Sequence, residues 1–288
     1  MTPASIHFED LPVARRRRPW HWLGAIGVLL VTVAVSKSIL TNERYEWGVV
    51  FDYFGSERII AGMWRTVHLT VISMSVGLVL GVILALAYQS KSRLVSAAAW
   101  AYIYFFRGTP VFVQLLFWGS ISALYPTLSF GIPFGPSIGG LDANALISPY
   151  TAAVLGLGLN EAAYMAEIVR AGLKSVDRGQ NEAATALGMT STTSMRRILL
   201  PQAMRIIIPP TGNQFIGMLK TSSLVAVLAY PELLYSAQLI YSVNYLTIPL
   251  LITASLWYLI LTSVLTIGQY FLERRFGRSD LAMQESNG

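Results

Sequence analysis

The 288-residue chain contains no cysteine. Disulfide staples, thiolate metal sites, thiol catalysis and palmitoylation are therefore excluded. Histidine is nearly as scarce: His7, His21 and His68 are too scattered to suggest a metal centre. Only 12% of residues are Asp, Glu, Lys or Arg, about half the share usual in globular domains. No G-x-x-x-x-G-K-[ST] element is present to hold nucleotide phosphates. What fills the composition is apolar: 54% of residues are hydrophobic and the mean hydropathy is +0.53. That balance excludes a water-soluble enzyme. The net charge of +6 reads as the basic excess of membrane-protein loops rather than as a nucleic-acid surface.

Six apolar segments are long enough to cross a bilayer: about 20–39, 64–88, 94–124, 149–169, 206–228 and 246–271. The pattern predicts an all-α, polytopic membrane protein with six transmembrane helices. The third segment is too long for one straight crossing, and Arg107-Gly108-Thr109-Pro110 interrupts it. Either a bent helix crosses there, or an interfacial stretch leads into a span that begins near Arg107.

Fourteen of the 21 basic residues fall on one side of these segments, among them Arg15–Arg18, Lys91, Arg93, Lys174, Arg178, Arg196, Arg197 and Arg205. The opposite connections carry Glu43, Glu46, Asp52, Glu57, Asp142 and Glu232. This asymmetry predicts that both termini are cytoplasmic. The basic cluster, apolar run and small residues at the start also match a cleavable signal, although the run is long for one and favours a retained anchor. The connection at 126–148 holds Pro126, Pro133, Pro136 and four glycines, so a structured turn region or lid is expected there. It is either a solvated connector or a docking surface.

The connection between the fourth and fifth segments, 173–205, is mostly helix-forming yet lacks the apolar length to span. Ala183, Ala184 and Leu187 make a narrow apolar stripe at helical spacing. Gly188 can close that helix, and Ser191 or Thr192 can cap a second one that Pro201 limits. The result would be a compact helical projection, lying on the membrane or docking a partner.

The same stretch carries a resemblance. Glu182-Ala183-Ala184, three residues, Gly188, nine residues and then Ile198-x-Leu200-Pro201 is similar to the EAA loop of ABC-importer permeases. Phe106-Arg107-Gly108-Thr109-Pro110 resembles the polar amino-acid branch of that family, as do Ala162-Ala163-Tyr164-x-Ala166-Glu167-Ile168-x-Arg170, Asn213-Gln214-Phe215 and Lys220-x-Ser222-Ser223-Leu224. The similarity covers about 62–272. Residues 1–61 would add an extra span and an external loop to a five-helix permease core, and 273–288 would form a cytoplasmic tail. Many relatives have an acidic residue where this chain has Thr221, so any charge pairing it makes in them does not carry over.

The resemblance implies a multi-pass subunit of the bacterial inner membrane that is not itself an enzyme and binds no cofactor. It would pair with an identical or homologous permease. A dimer of ATPase subunits, holding the ATP and magnesium, would dock on Glu182, Ala183, Ala184, Leu187, Gly188, Ile198, Leu200 and Pro201. An external solute-binding protein would deliver a polar amino acid. Glu182 is expected to pair with a basic ATPase residue or to cap its helix.

Intramembrane charges cost roughly 2.5–3.5 kcal/mol each on insertion scales, so each needs a reason. Glu167 and Arg170, three apart, are expected to form a local ion pair. Asn160, Glu161, Asn213, Gln214, Lys220 and Arg107 are candidates for substrate binding: Glu161 for an ammonium or basic side chain, Lys220 for a carboxylate. Alternatively Glu161 is neutralised by Lys220 or Arg107. Gly77-x-x-x-Gly81 is a candidate for close helix packing. An ion-coupled secondary carrier using Glu161 as its titrating group is the alternative class, although no internal repeat of the kind such carriers use is present.

Overall fold

The computed structural model describes residues 20–131 and 137–285. The cluster Arg15–Arg18 and the turn residues Pro133, Gly135 and Pro136 lie outside the described residues. Two units are distinguished, up to Trp47 and from Gly48 onward. The first contains α1 (Trp20–Thr41), apolar all round and exposed along its length, as a lipid-facing helix is. Trp47 Nε1 donates to the Ile39 carbonyl at 2.9 Å.

The second unit runs α2 (Trp47–Phe54), α3 (Glu57–Tyr88), α4 (Arg93–Gly108), α5 (Val111–Gly119), α6 (Ile121–Leu124), β1 (Thr127–Gly131), β2 (Ser137–Asp142) and α7 (Ala143–Leu146). It continues through α8 (Pro149–Lys174), α9 (Arg178–Ala186), α10 (Ser191–Ser194), α11 (Leu200–Thr221), α12 (Leu233–Asn244) and α13 (Thr247–Glu285). The antiparallel β1–β2 hairpin occupies the glycine- and proline-rich connection and is the exception, among the described residues, to a helical fold.

Four described helices are long and apolar enough to cross a membrane, α1, α3, α8 and α13. The pair Ser191–Leu228 and Leu233–Asn244 passes together but is bent by 44°. Of the six expected crossings, four are single described helices and a fifth is this bent pair. The 94–124 segment splits into α4, α5 and α6, and the first break arises because a residue before proline is driven out of the helical region. Thr109 accordingly sits extended at φ −111° and ψ 141°. Gln114 bridges this break, its amide donating to the carbonyls of Phe106 and Thr109, both at 3.1 Å. In the 206–228 segment the α-helix ends at Thr221, and a tighter 3-10 turn covers Ser222–Leu228.

Pro201 does not end the second helix of the projection, contrary to expectation. A proline inside a helix clashes with the carbonyl four residues back. Here a widened π turn, Met195–Leu199, precedes Pro201, which lies in the first turn of α11. Gln202 Nε2 satisfies the Ile198 carbonyl at 3.0 Å. Helical backbone therefore runs without a break from α10 into α11.

The central helix is α8, capped by Ser148 and started by Pro149. Its buried face is mostly alanine and glycine, which lets α3 approach closely. A Cβ on Gly77 would lie 2.8 Å from Cβ and Cγ of Glu161, and one on Gly81 would lie 2.5 Å from Cβ of Met165. The far end of the bundle is tied by Glu232, expected as an acid on an external connection but fully buried. Its carboxylate caps α12, accepting from Leu234 N at 3.0 Å and Tyr235 N at 2.7 Å, and accepts from the Tyr258 hydroxyl at 2.7 Å and Thr66 Oγ1 at 3.4 Å. One side chain thereby joins α3, α12 and α13.

Gly81→Val should force α3 from α8 and cost about 1–3 kcal/mol, the usual range for overpacking. Gly48→Ala, where an added Cβ meets nothing within 4 Å, should leave stability nearly unchanged. Thermal unfolding of the purified variants measures both.

Candidate functional site

Two features stand out, a helical projection and a buried polar cavity, and α11 belongs to both. In the projection, Asp177 caps α9 by accepting from Gly179 N at 2.6 Å. Glu182 therefore does not cap this helix; it lies exposed in the middle of α9. The C-terminus of α9 closes as expected at Gly188, whose φ of +73° is left-handed. Gly188 N donates to Thr185 O and Met189 N to Ala184 O, both at 3.0 Å, the paired bonds that end a helix in this way.

The second helix starts one residue earlier than expected, with Thr190 accepting from Thr193 N at 3.3 Å. Ala184 is 1% exposed, and Ser194 Oγ donates to Asn181 Oδ1 at 3.3 Å to hold α9 and α10 together. Ala184 thus serves the inside of the hairpin rather than its outer face. Glu182, Ala183 and Leu187 face outward, Leu187 80% exposed. Ile198 is half-buried, and Leu200 and Pro201 are exposed where the projection passes into α11.

The cavity, about 220 Å³, lies among α5, α8 and α11. Its α8 wall is Leu157, Asn160, Glu161 and Tyr164; its α11 wall is Gln214, Gly217, Met218 and Thr221. Glu161 is only 6% exposed, and its Oε1 has no hydrogen-bond partner among the described residues. Gln214 faces the same cavity from α11. Asn160 donates to the Phe106 carbonyl at 2.8 Å, which anchors α8 to the break before α5.

Neither Lys220 nor Arg107 forms an ion pair with Glu161 among the described residues. Lys220 and Asn213 are exposed and do not line the cavity. Arg107 is directed instead toward Glu167, with Nη1 3.9 Å from Oε1. Glu167 Oε2 pairs tightly with Arg170 Nη2. Each arginine also lies over a ring, Arg107 over Tyr164 at 5.4 Å and Arg170 over Tyr88 at 4.9 Å. Residue types and spacing alone could not indicate that Tyr164 and Thr221 are cavity walls, since neither carries a charge that marks it in an apolar run.

Residues 77–278 match the family described as binding-protein-dependent transport system inner membrane component. The arginine transport system permease protein of Corynebacterium glutamicum is 45% identical over 263 residues, covering 90% of this chain and 81% of that protein. A probable amino-acid ABC transporter permease protein of Bacillus subtilis is 36% identical, covering 76% of this chain and 88% of its own. Among solved structures, an amino acid ABC transporter with histidines is similar at TM-score 0.64 and 36% identity, covering 76% of this chain and 94% of that one.

The two arginines should differ in weight. Arg170 has a side chain 23% exposed and a tight pair, so Arg170→Gln should destabilise the protein by about 1–3 kcal/mol. Arg107, 44% exposed and at 3.9 Å, should cost less than about 1 kcal/mol as Arg107→Gln. Thermal unfolding of the two variants tests the ranking.

Proposed function

Because the chain belongs to the family of binding-protein-dependent transport system inner membrane components, and within it to the amino-acid ABC permeases, we propose that it imports a basic L-amino acid, with ATP hydrolysed by partner subunits. The observation that carries this reading is the shared helix. The backbone that begins in the projection at Ser191 continues to Thr221, and its last turns wall the cavity around Glu161. At 1.5 Å per residue such a helix reaches more than about 40 Å. A rigid-body tilt imposed at one end must therefore change the cavity at the other.

In this reading the projection and both termini face the cytosol, as the basic residues prefer. Two ATPase subunits seat the exposed Glu182, Ala183 and Leu187 of paired permeases, and their closure around ATP supplies the two states that uphill transport needs. An external binding protein delivers the amino acid to the opposite side. Glu161, buried without a cationic partner, receives the positive charge of the cargo, and Asn160 and Gln214 provide polar contacts beside it. The arginine permease similarity favours a guanidinium or ammonium side chain.

Vesicles carrying the complete transporter, with binding protein outside and ATP inside, should take up L-arginine after all ion gradients are collapsed. Uptake that needs a proton or sodium gradient and ignores ATP would replace this reading with an ion-coupled carrier. Glu161→Gln should reduce uptake at least about tenfold, the equivalent of one lost charge-assisted contact, with binding-protein affinity unchanged. Gly188→Val places a branched residue in the left-handed region, at a cost of about 1–2 kcal/mol. ATP hydrolysis should persist in that variant while uptake is lost.

A further inference from the structure

A second cavity, about 660 Å³, opens between α4, the end of α3 and α8. Tyr88, Trp100, Tyr104, Tyr164, Arg107 and Glu167 are among its walls. It differs from the Glu161 cavity in carrying both signs of charge on its lining, and it shares one residue with it, Tyr164. On α8, Asn160, Tyr164 and Glu167 recur at i, i+4 and i+7, which places them on one helix face. Glu161 and Glu167 are separated by about 9 Å of helix rise. The second cavity lies toward the end of α8 from which the projection leaves.

The electrostatics of Glu167 are uneven. Oε2 is held tightly by Arg170, which is itself stacked over Tyr88. Among the described residues Oε1 has only Arg107 at 3.9 Å, at the limit of an ion pair, and that side chain is 44% exposed with its guanidinium over Tyr164. Arg170 therefore keeps the carboxylate in place. Arg107 is a loose partner that another cation can displace at small cost. Once displaced, Arg107 is free to receive a carboxylate in a planar, two-pronged contact. A cation acceptor and a carboxylate acceptor in one cavity match the two charged ends of an amino acid.

We propose that this cavity is a second, weaker amino-acid station on the way out, in which the cationic group of the cargo displaces Arg107 from Glu167 Oε1 and its α-carboxylate pairs with Arg107. The proposal rests on the import of an amino acid past Glu161. Tyr164, with Arg107 over its ring, stands between the two stations, so movement of Arg107 both opens the passage and completes the receiving site. Weak, successive sites are what transport requires, since a cargo held once and tightly does not leave.

The absence of cysteine makes single-thiol probes unambiguous. Gly108 lines the second cavity and Gly217 the first, and a Cβ added at either meets nothing within 4 Å. Gly108→Cys and Gly217→Cys are made separately in the full chain, reconstituted in nanodiscs with its ATPase partner. The rate of modification by a charged methanethiosulfonate is read against L-arginine concentration. L-Arginine should protect both thiols, with Cys replacing Gly108 protected only at higher concentrations. Adding Glu167→Gln should raise the concentration that half-protects the position-108 thiol by about tenfold or more, one charge-assisted contact's worth. Adding Glu161→Gln should raise the half-protecting concentration for the position-217 thiol and leave that for position 108 in place.

Protection at 217 alone overturns the second station and leaves the Glu161 reading standing. Protection at neither position overturns both. Protection at 108 that survives Glu167→Gln also overturns the proposal. Tyr104→Cys, in the same wall, repeats the measurement if the Gly108 variant fails to assemble.

Discussion

The structure depends most on the continuity of one helix across a proline. Proline at 201 would ordinarily end or kink the second helix of the projection. The π turn at Met195–Leu199 widens the backbone just ahead of it, and the chain stays helical from Ser191 to Thr221. The projection is therefore not a flap on a hinge but the outer end of a bundle helix. Pro209 and Pro210 are absorbed in the same helix, with Thr211 Oγ1 satisfying the Ile207 carbonyl at 2.7 Å and Gln269 Nε2 donating to the Pro209 carbonyl at 3.3 Å.

Against this long element stands α8, fixed to α3 by the near-contact of glycine with side chain. Gly77 meets Glu161 itself, so the residue pair that packs the helices also sets the depth of the buried carboxylate. Among the described residues Glu161 has no ion pair, and Arg107 turns to Glu167 instead, loosely, at 3.9 Å. Two carboxylates on one helix thereby acquire different characters. One is paired and positioned by Arg170; the other is enclosed by α5 and α11 with an oxygen lacking a partner. Glu232 contributes differently, joining α12 to α3 and α13.

Much of this was legible in the sequence wherever a local rule governs. The Gly188 cap, the helix of 178–186 and the close packing at Gly77 and Gly81 follow from short-range patterns, and the structure has them. The proline at 110 announced a break, but the break it leaves between α4 and α5 depends on Gln114 and Asn160 rescuing the freed carbonyls, and the Asn160 bond is a tertiary matter. Pro201 misled because its effect turns on the π turn before it. Glu232 looked like a surface charge because its four donors come from residues as distant as Thr66 and Tyr258. Lys220 was paired with Glu161 because both are charges within apolar segments, yet it is exposed, since burial on one helix depends on which neighbours surround it.

In the proposed transport cycle, displacement of the projection is felt at the cavity wall. Spin labels at Asn213→Cys on α11, exposed and outside the cavity lining, and at Gly48→Cys on α2, where an added side chain meets nothing within 4 Å, report the distance between the two helices. With the ATPase partner assembled, the distance distribution should shift when ATP binds and return after hydrolysis. The shift should vanish in Gly188→Val. A distribution that stays the same with and without ATP, in a transporter that still hydrolyses ATP and imports its cargo, would contradict the account.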